Sequence, residues 1–260
     1  MFEEFCRNGR LEISKWLHDI GLFEIDQLDL SDLITDVCES GYLEITQWLY
    51  GLSDVAVSNK AFHLACKKGR LPVAKWLVDC GADVDTGDNY SFRKSCKYGH
   101  LETAQWLYSI GAWTENIIEQ SCKNGQLEIA KWLYSLDTDV NLENLFLKAC
   151  KNGQLEIAKW LYSLDDKICF NDSFKSSCSK GHIRVSMWLY DLCPELLEKY
   201  FFYARKSLLK YAGISKDTIK IIQCIETGQK FPKVESVDEI LIHALGSHHR
   251  SHDLMKLSLI

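Results

Sequence analysis

The stretch Cys122–Asp137, CKNGQLEIAKWLYSLD, recurs letter for letter at Cys150–Asp165, 28 positions later. An identity of sixteen residues at one offset does not arise by chance, and looser copies run outward from it in both directions. The shared frame is a Cys, a Gly three residues on and a Trp seven further: Cys6/Gly9/Trp16, Cys38/Gly41/Trp48, Cys66/Gly69/Trp76, Cys96/Gly99/Trp106, Cys122/Gly125/Trp132, Cys150/Gly153/Trp160 and Cys178/Gly181/Trp188. The steps between these cysteines are 32, 28, 30, 26, 28 and 28 residues. A period of this size marks a stack of supersecondary units, each too small to bury its apolar face alone.

Within a copy the apolar spacing is helical. In the third, Leu71, Val73, Ala74, Trp76, Leu77 and Cys80 fit one face of a helix and do not alternate as a strand would. Each copy therefore reads as two short helices, roughly Lys60 to Lys68 and Leu71 to Cys80 in the third. Gly69 stands between them, where a left-handed residue ends the first helix and turns the chain back. The first helix carries a large apolar residue four before the Cys (Phe2, Ile34, Phe62, Phe92, Ile118, Phe146, Phe174) and usually a small one just before it (Ala65, Ser95, Ser121, Ala149, Ser177). Small residues there let neighbouring copies approach closely. Asp32, Asn116, Asn144 and Asp172 are placed to cap the first helix. Glu12, Glu44, Glu102, Glu128 and Glu156 fall in the first turn of the second, where the helix dipole favours a carboxylate.

The third copy, AFHLACKKGRLPVAKWLVDCGADVD (Ala61–Asp85), resembles an ankyrin repeat from the core of its first helix to the trailing Gly-Ala-Asp-Val. The likeness spans about Phe2 to Leu192, and the compressed, Trp-bearing form with Cys-Lys-Asn-Gly resembles the ankyrin repeat proteins of giant DNA viruses. It implies an all-α, ankyrin-like helical solenoid of stacked helix–turn–helix repeats. Two departures stand out. An ankyrin unit has about 33 residues, so the projecting β-turn fingers are expected to be shortened. The family's Thr-Pro-Leu-His start is absent, with only His63 in the place of its His. Residues 1–193 form seven such repeats on this reading. Residues 194–260 form a degenerate C-terminal extension, whose stretch of His248, His249, Arg250 and His252 supplies the polar outer face that a terminal unit needs.

Composition narrows the function. The chain has 260 residues, of which 47% are hydrophobic, and a formal charge of −6, which argues against a general nucleic-acid binder. No apolar run of about 18 residues is present, so no membrane span is expected. The charged opening MFEEFCRNGR runs straight into the first copy, so no signal peptide is expected. Seven of the eleven cysteines hold one repeat position, which fits buried thiols in a reducing compartment, cytoplasm or nucleus, better than a disulfide framework.

Catalysis needs different residue types that converge once, whereas this chain repeats the same types seven times. A Cys/His nucleophile could be drawn from the cysteines with His18, His63, His100 and His182, but packed thiols explain the register better. His243, His248, His249 and His252 could hold a metal, though Gly246-Ser247 points to a loop there. The Trp series could stack bases, but its place among apolar neighbours points to the core. Lys67, Lys68, Lys97, Lys123, Lys151 and Lys180 line the inter-helix turn, either a phosphate-attracting stripe or a solvated edge, opposite the acidic linkers of Asp26, Asp29, Asp83, Asp85, Asp88, Asp137, Asp139, Asp165 and Asp166. No catalytic residue, metal ligand, cofactor, small-molecule substrate or membrane contact is expected.

The informative position lies two before each Cys, where packing leaves the residue free: Glu4, Asp36, Leu64, Lys94, Gln120, Lys148 and Ser176. In the ankyrin family this side lines a concave protein-binding groove. The resemblance therefore implies a partner-binding face made of these residues with Tyr90, Tyr98 and Trp113, and a non-enzymatic protein–protein interaction module acting on a host protein. Two alternatives attach to the C-terminal segment. One is a ubiquitin-ligase adaptor, from the F-box-like echo of Phe231-Pro232 and Glu239-Ile240-Leu241. The other is an enzyme within residues 194–260, which lack a Gly-rich loop or an acid/base pair.

Overall fold

A computed structural model describes residues 2–21, 30–53, 55–84 and 86–193, together with Leu196. Among the described residues there are fourteen helices and no strand. They form seven pairs, one per Cys–Gly–Trp frame. The first helices are α1 (Phe2–Arg7), α3 (Leu30–Ser40), α5 (Asn59–Lys67), α7 (Thr86–Tyr98), α9 (Ile117–Lys123), α11 (Leu142–Lys151) and α13 (Asn171–Lys180). The second helices are α2 (Leu11–Asp19), α4 (Leu43–Gly51), α6 (Leu71–Asp79), α8 (Leu101–Ser109), α10 (Leu127–Leu136), α12 (Leu155–Leu164) and α14 (Ile183–Leu192).

The chain divides into two compact units, Met1–Val140 and Asn141–Ile260. In the first, α1, α3, α5, α7 and α9 stack each on the next; in the second, α11 stacks on α13 and α12 on α14. Each unit is a stack of helix pairs of the expected kind. The C-terminal extension beyond Leu196, with the F-box-like echo and the histidine group, lies outside the described residues, as do Asp26, Asp29 and Asp85 of the linkers.

The glycine turns follow the expected chemistry. Gly69 has φ +70°, its N–H donates to the Cys66 carbonyl at 3.1 Å, and the Arg70 N–H donates to the Ala65 carbonyl at 2.8 Å. This pair of bonds is the Schellman motif, which satisfies carbonyls at the helix end. The same pair recurs at Gly9, Gly125, Gly153 and Gly181.

Inside each turn lies the thiol. The seven cysteines in register are free, and all are buried. Burial pushes the thiols of Cys66, Cys96, Cys122 and Cys150 up to about 12 and that of Cys38 up to about 11. The small residue before the Cys also acts between pairs: the Ser95 hydroxyl donates to the Cys66 carbonyl at 3.1 Å.

Two expectations need correction. The tryptophans are not core residues. Trp48, Trp76, Trp106 and Trp132 are only partly buried, and Trp16 is largely exposed. The fully buried stripe of α10 is Ile129, Ala130 and Leu133; Trp132 points about 100° away from Leu133. The indole instead lies in a seam against an aromatic ring of the preceding pair: His18–Trp48 at 5.7 Å, Tyr50–Trp76 at 5.2 Å and Tyr108–Trp132 at 5.7 Å between centroids. The second unit repeats the arrangement at Tyr162–Trp188.

The capping residues also differ. Asp32, Asn144 and Asp172 lie inside their helices, because α3, α11 and α13 begin before them. Buried Leu30 belongs to the added turn of α3. The cap of α11 is Asn141, whose Oδ1 accepts from the Asn144 N–H at 2.9 Å. Asn116 does occupy the cap of α9, but in the left-handed conformation with φ 57° and without a side-chain cap bond.

Two measurements check this packing. Titration of the native protein with a thiol reagent finds exposed Cys80 and Cys169 fast and the seven register cysteines slow, and denaturant equalises them; ready native labelling of Cys66, Cys122 and Cys150 contradicts the packing role. Urea unfolding ranks Leu133→Ala, at about 2–5 kcal/mol, above Trp132→Ala, at about 1–2 kcal/mol; the reverse order contradicts the stripe.

Candidate functional site

The face implied by the sequence starts from helix positions whose neighbours are buried. Around Lys94, Ser91, Phe92, Ser95 and Cys96 are all buried, and around Leu64, Phe62, Ala65 and Cys66 are. Lys94 and Leu64 themselves remain half-exposed, and Glu4 and Gln120 are exposed. Asp36 accepts an ion-paired hydrogen bond from Arg7 at 2.8 Å, and Arg7 also pairs with Glu3 at 2.8 Å.

In the middle of the first unit the residues form a connected group. Lys94 Nζ stands 4.8 Å from the centre of the Tyr90 ring. Tyr90 packs on the His63 ring at 5.2 Å, and His63 Nδ1 is 2.7 Å from Ser91 Oγ. The ankyrin-like His therefore does bridge to the next pair, through a serine hydroxyl. Burial lowers the His63 pKa, with Asp83 opposing.

Tyr98 lies apart from that group by its contacts, exposed between Lys67 and Lys97, whose Nζ atoms are 5.8 and 5.7 Å from its ring centre. The ring of Trp113 packs on Phe92 at 6.1 Å and Tyr108 at 5.6 Å, and its carbonyl accepts from Asn89 Nδ2 at 2.9 Å. Lys148 and Ser176 belong to the second unit, both half-exposed. That unit also holds a cleft of about 360 Å³ lined by Asn141, Glu143, Asn144, Leu147, Cys169, Asp172 and Ser173. Among the described residues no group of three or more His, Cys, Asp or Glu is arranged to hold a metal ion, and no helix is long and apolar enough to cross a membrane.

Sequence reasoning passed over the residue after each glycine: Arg10, Tyr42, Arg70, His100, Gln126, Gln154 and His182. At Tyr42, Arg70, His100, Gln126 and His182 the side chain reaches back to the preceding pair. Arg70 Nε donates to the Glu39 carbonyl at 3.2 Å and Gln126 Nε2 to the Lys97 carbonyl at 3.1 Å. His100 Nε2 is 2.9 Å from the Lys67 carbonyl, and in the second unit His182 Nε2 is 3.0 Å from that of Lys151. A carbonyl only accepts, so both imidazoles carry a proton on Nε2. Each of these side chains thereby caps a helix of the neighbouring pair and lies over its glycine. A Cβ on Gly69 would stand 2.5 Å from His100 Nδ1, and one on Gly153 would stand 2.6 Å from His182 Nδ1. The signal was a column that is always long and polar or aromatic, never aliphatic.

Part of the chain is similar to a known repeat family. Residues 33–118 match the family model of ankyrin repeats, in three copies. The crystal structure of the human ASB11 ankyrin repeat domain matches 62% of this chain and 83% of its own, at 20% identity and a TM-score of 0.48. No curated protein matches the chain. Ankyrin repeats are protein–protein interaction modules, which directs attention to the exposed faces rather than to a reaction centre.

The ladder is testable by a double-mutant cycle in urea. Gly69→Ala pays a left-handed penalty of about 1–2 kcal/mol plus the clash with the imidazole, and His100→Ala removes a cap bond worth about 1 kcal/mol. The double variant Gly69→Ala/His100→Ala is expected to lose less than the sum, since the methyl then fills the vacated space. Strict additivity contradicts the contact.

Proposed function

We propose that the chain is a non-enzymatic interaction protein whose partner docks on the helix positions two before each register Cys, centred on Leu64, Tyr90, Lys94 and Gln120. The observation that carries this reading is a contrast within the first helices: around Leu64 and Lys94 the Phe two residues earlier, the small residue that follows and the Cys are buried, while this position stays open and varies from Glu to Leu to Lys to Gln. Packing does not dictate its identity, so recognition is free to. We further propose a viral protein that acts on a host protein in the cytoplasm or nucleus. Its supports are the compressed Cys-Lys-Asn-Gly repeat and the free, buried thiols, which suit a reducing compartment.

Electrostatics distinguishes this face from the lysine edge. Affinity capture from a eukaryotic cell lysate is run with the full chain, with Lys94→Glu/Gln120→Glu and with Lys67→Glu/Lys123→Glu. Both pairs are surface changes expected to alter stability by no more than about 1–2 kcal/mol. The first pair is expected to lose the captured partner and the second to keep it. Loss with the edge pair and retention with the face pair contradicts the proposed surface and moves recognition to the inter-helix turns.

A further inference from the structure

The open positions of the first unit are sorted by charge along the stack. Two before each Cys stand Glu4 on α1 and Asp36 on α3, then Leu64 on α5, then Lys94 on α7. One turn earlier on α3, α5 and α7 stand Asp32, Lys60 and Tyr90, and residues four apart share a face of a helix. Two contacts confirm the row: Lys60 Nζ is 3.7 Å from Asp32 Oδ1 across α5 and α3, and Lys94 Nζ stands 4.8 Å from the centre of the Tyr90 ring. The face therefore runs from carboxylates at α1 and α3, past an apolar side chain at α5, to an ammonium beside an aromatic ring at α7.

Internal pairing cancels the middle of this gradient and leaves its ends. Asp32 is matched by Lys60. The one guanidinium of Arg7 serves both Glu3 and Asp36, so α1 and α3 stay net negative beside exposed Glu4. Among the described residues neither Glu4 nor Lys94 is in an ion pair. Leu64, between these ends, is half-exposed.

We propose, resting on the docking face named above, that its occupant is an extended segment of another protein with a basic residue at one end and an acidic residue at the other. Packed helices lie about 8–10 Å apart and an extended chain advances about 3.3 Å per residue, so about three residues pass each helix. In either chain direction the segment sets its base opposite Glu4, an apolar side chain about six residues away against Leu64, and its acid about nine residues away beside Lys94. Tyr90 joins α7 to α5 through His63, at 5.2 Å between ring centres, and gives the apolar residue an aromatic neighbour. A second copy of this chain is a poorer occupant. Turned end for end on the face, it sets Glu4 on Lys94 but Leu64 on the Asp36 carboxylate, which loses water there without gaining a partner. A separate segment meets each position with its own complement.

Selection of a displayed library of random peptides, long enough to span the face, against the full 260-residue chain tests this. Enriched peptides are expected to carry a basic and an acidic residue about nine positions apart, with an apolar residue about three from the acid. The leading peptide, made synthetically, is expected to bind Lys94→Glu at least about 10-fold more weakly, and exchange of its acid for Lys is expected to restore binding to that variant. Glu4→Lys, paired with exchange of the peptide's base for Glu, gives an independent swap at the other end should Lys94→Glu not fold, as judged by circular dichroism. Peptides that lose Lys94→Glu/Gln120→Glu but lack this charge order overturn the inference and leave the docking face standing. Peptides indifferent to that pair overturn both. The inference also fails if no peptide is enriched, if neither swap restores binding, or if sedimentation velocity finds a dimer that Lys94→Glu abolishes, which places a second copy on the face.

Discussion

Within each unit, one pair of helices is held to the next by a residue that does two jobs at the glycine turn. Its backbone N–H closes the first helix of its own pair, and its side chain caps the first helix of the pair before while covering that helix's glycine. His100 shows both: its N–H donates to the Ser95 carbonyl at 3.0 Å, and its imidazole sits 2.9 Å from the Lys67 carbonyl. Helix ends leave carbonyls without partners, and a repeat of under 33 residues has little loop with which to cover them. The neighbouring copy supplies the partner. The turn geometry, the register between copies and the absence of a side chain at the glycine are then one constraint.

That constraint explains why so much of the chain is fixed and what is left free. Close approach at the turn demands a small residue before the Cys and a compact buried Cys, and burial in turn suppresses the thiolate and leaves the thiols inert. The aromatic seam between second helices adds a parallel contact on the far side of each pair. What remains unconstrained is the outward position of the first helices, two before each register Cys. Sequence variety concentrated there reads as recognition, because neither the turn nor the seam touches it. On α2, Ile13 and Trp16 are exposed.

The parts of this architecture written in a repeated residue type were legible in the sequence. The helix pairs, the left-handed glycines and the buried cysteines recur at one spacing, so periodicity exposed them. The depth of the tryptophans was not legible: an invariant Trp at helical spacing among Leu and Ile looks like core, and only its rotation relative to Leu133 and the partner ring of Tyr108 make it a seam residue. The cap on each glycine was hidden for the opposite reason. Its identity changes from Arg to Tyr to His to Gln while its role stays constant, and its partner carbonyl is 29 to 33 positions away. The first turns of α3, α11 and α13 were misread because the helices extend into the linkers. For the candidate face, the sequence could name the open helix positions but not the contacts that join His63, Tyr90 and Lys94 and set Tyr98 beside the lysines.

The central claim, that the residue after one glycine lies over the glycine of the preceding copy, is tested most directly by proton NMR of the glycine Hα resonances. The account predicts nuclear Overhauser contacts from the His100 ring to Gly69 Hα and from the Tyr42 ring to Gly9 Hα, with ring-current shifts of those protons that vanish in His100→Ala and Tyr42→Ala respectively. Unshifted glycine protons without cross-peaks to either ring would contradict it.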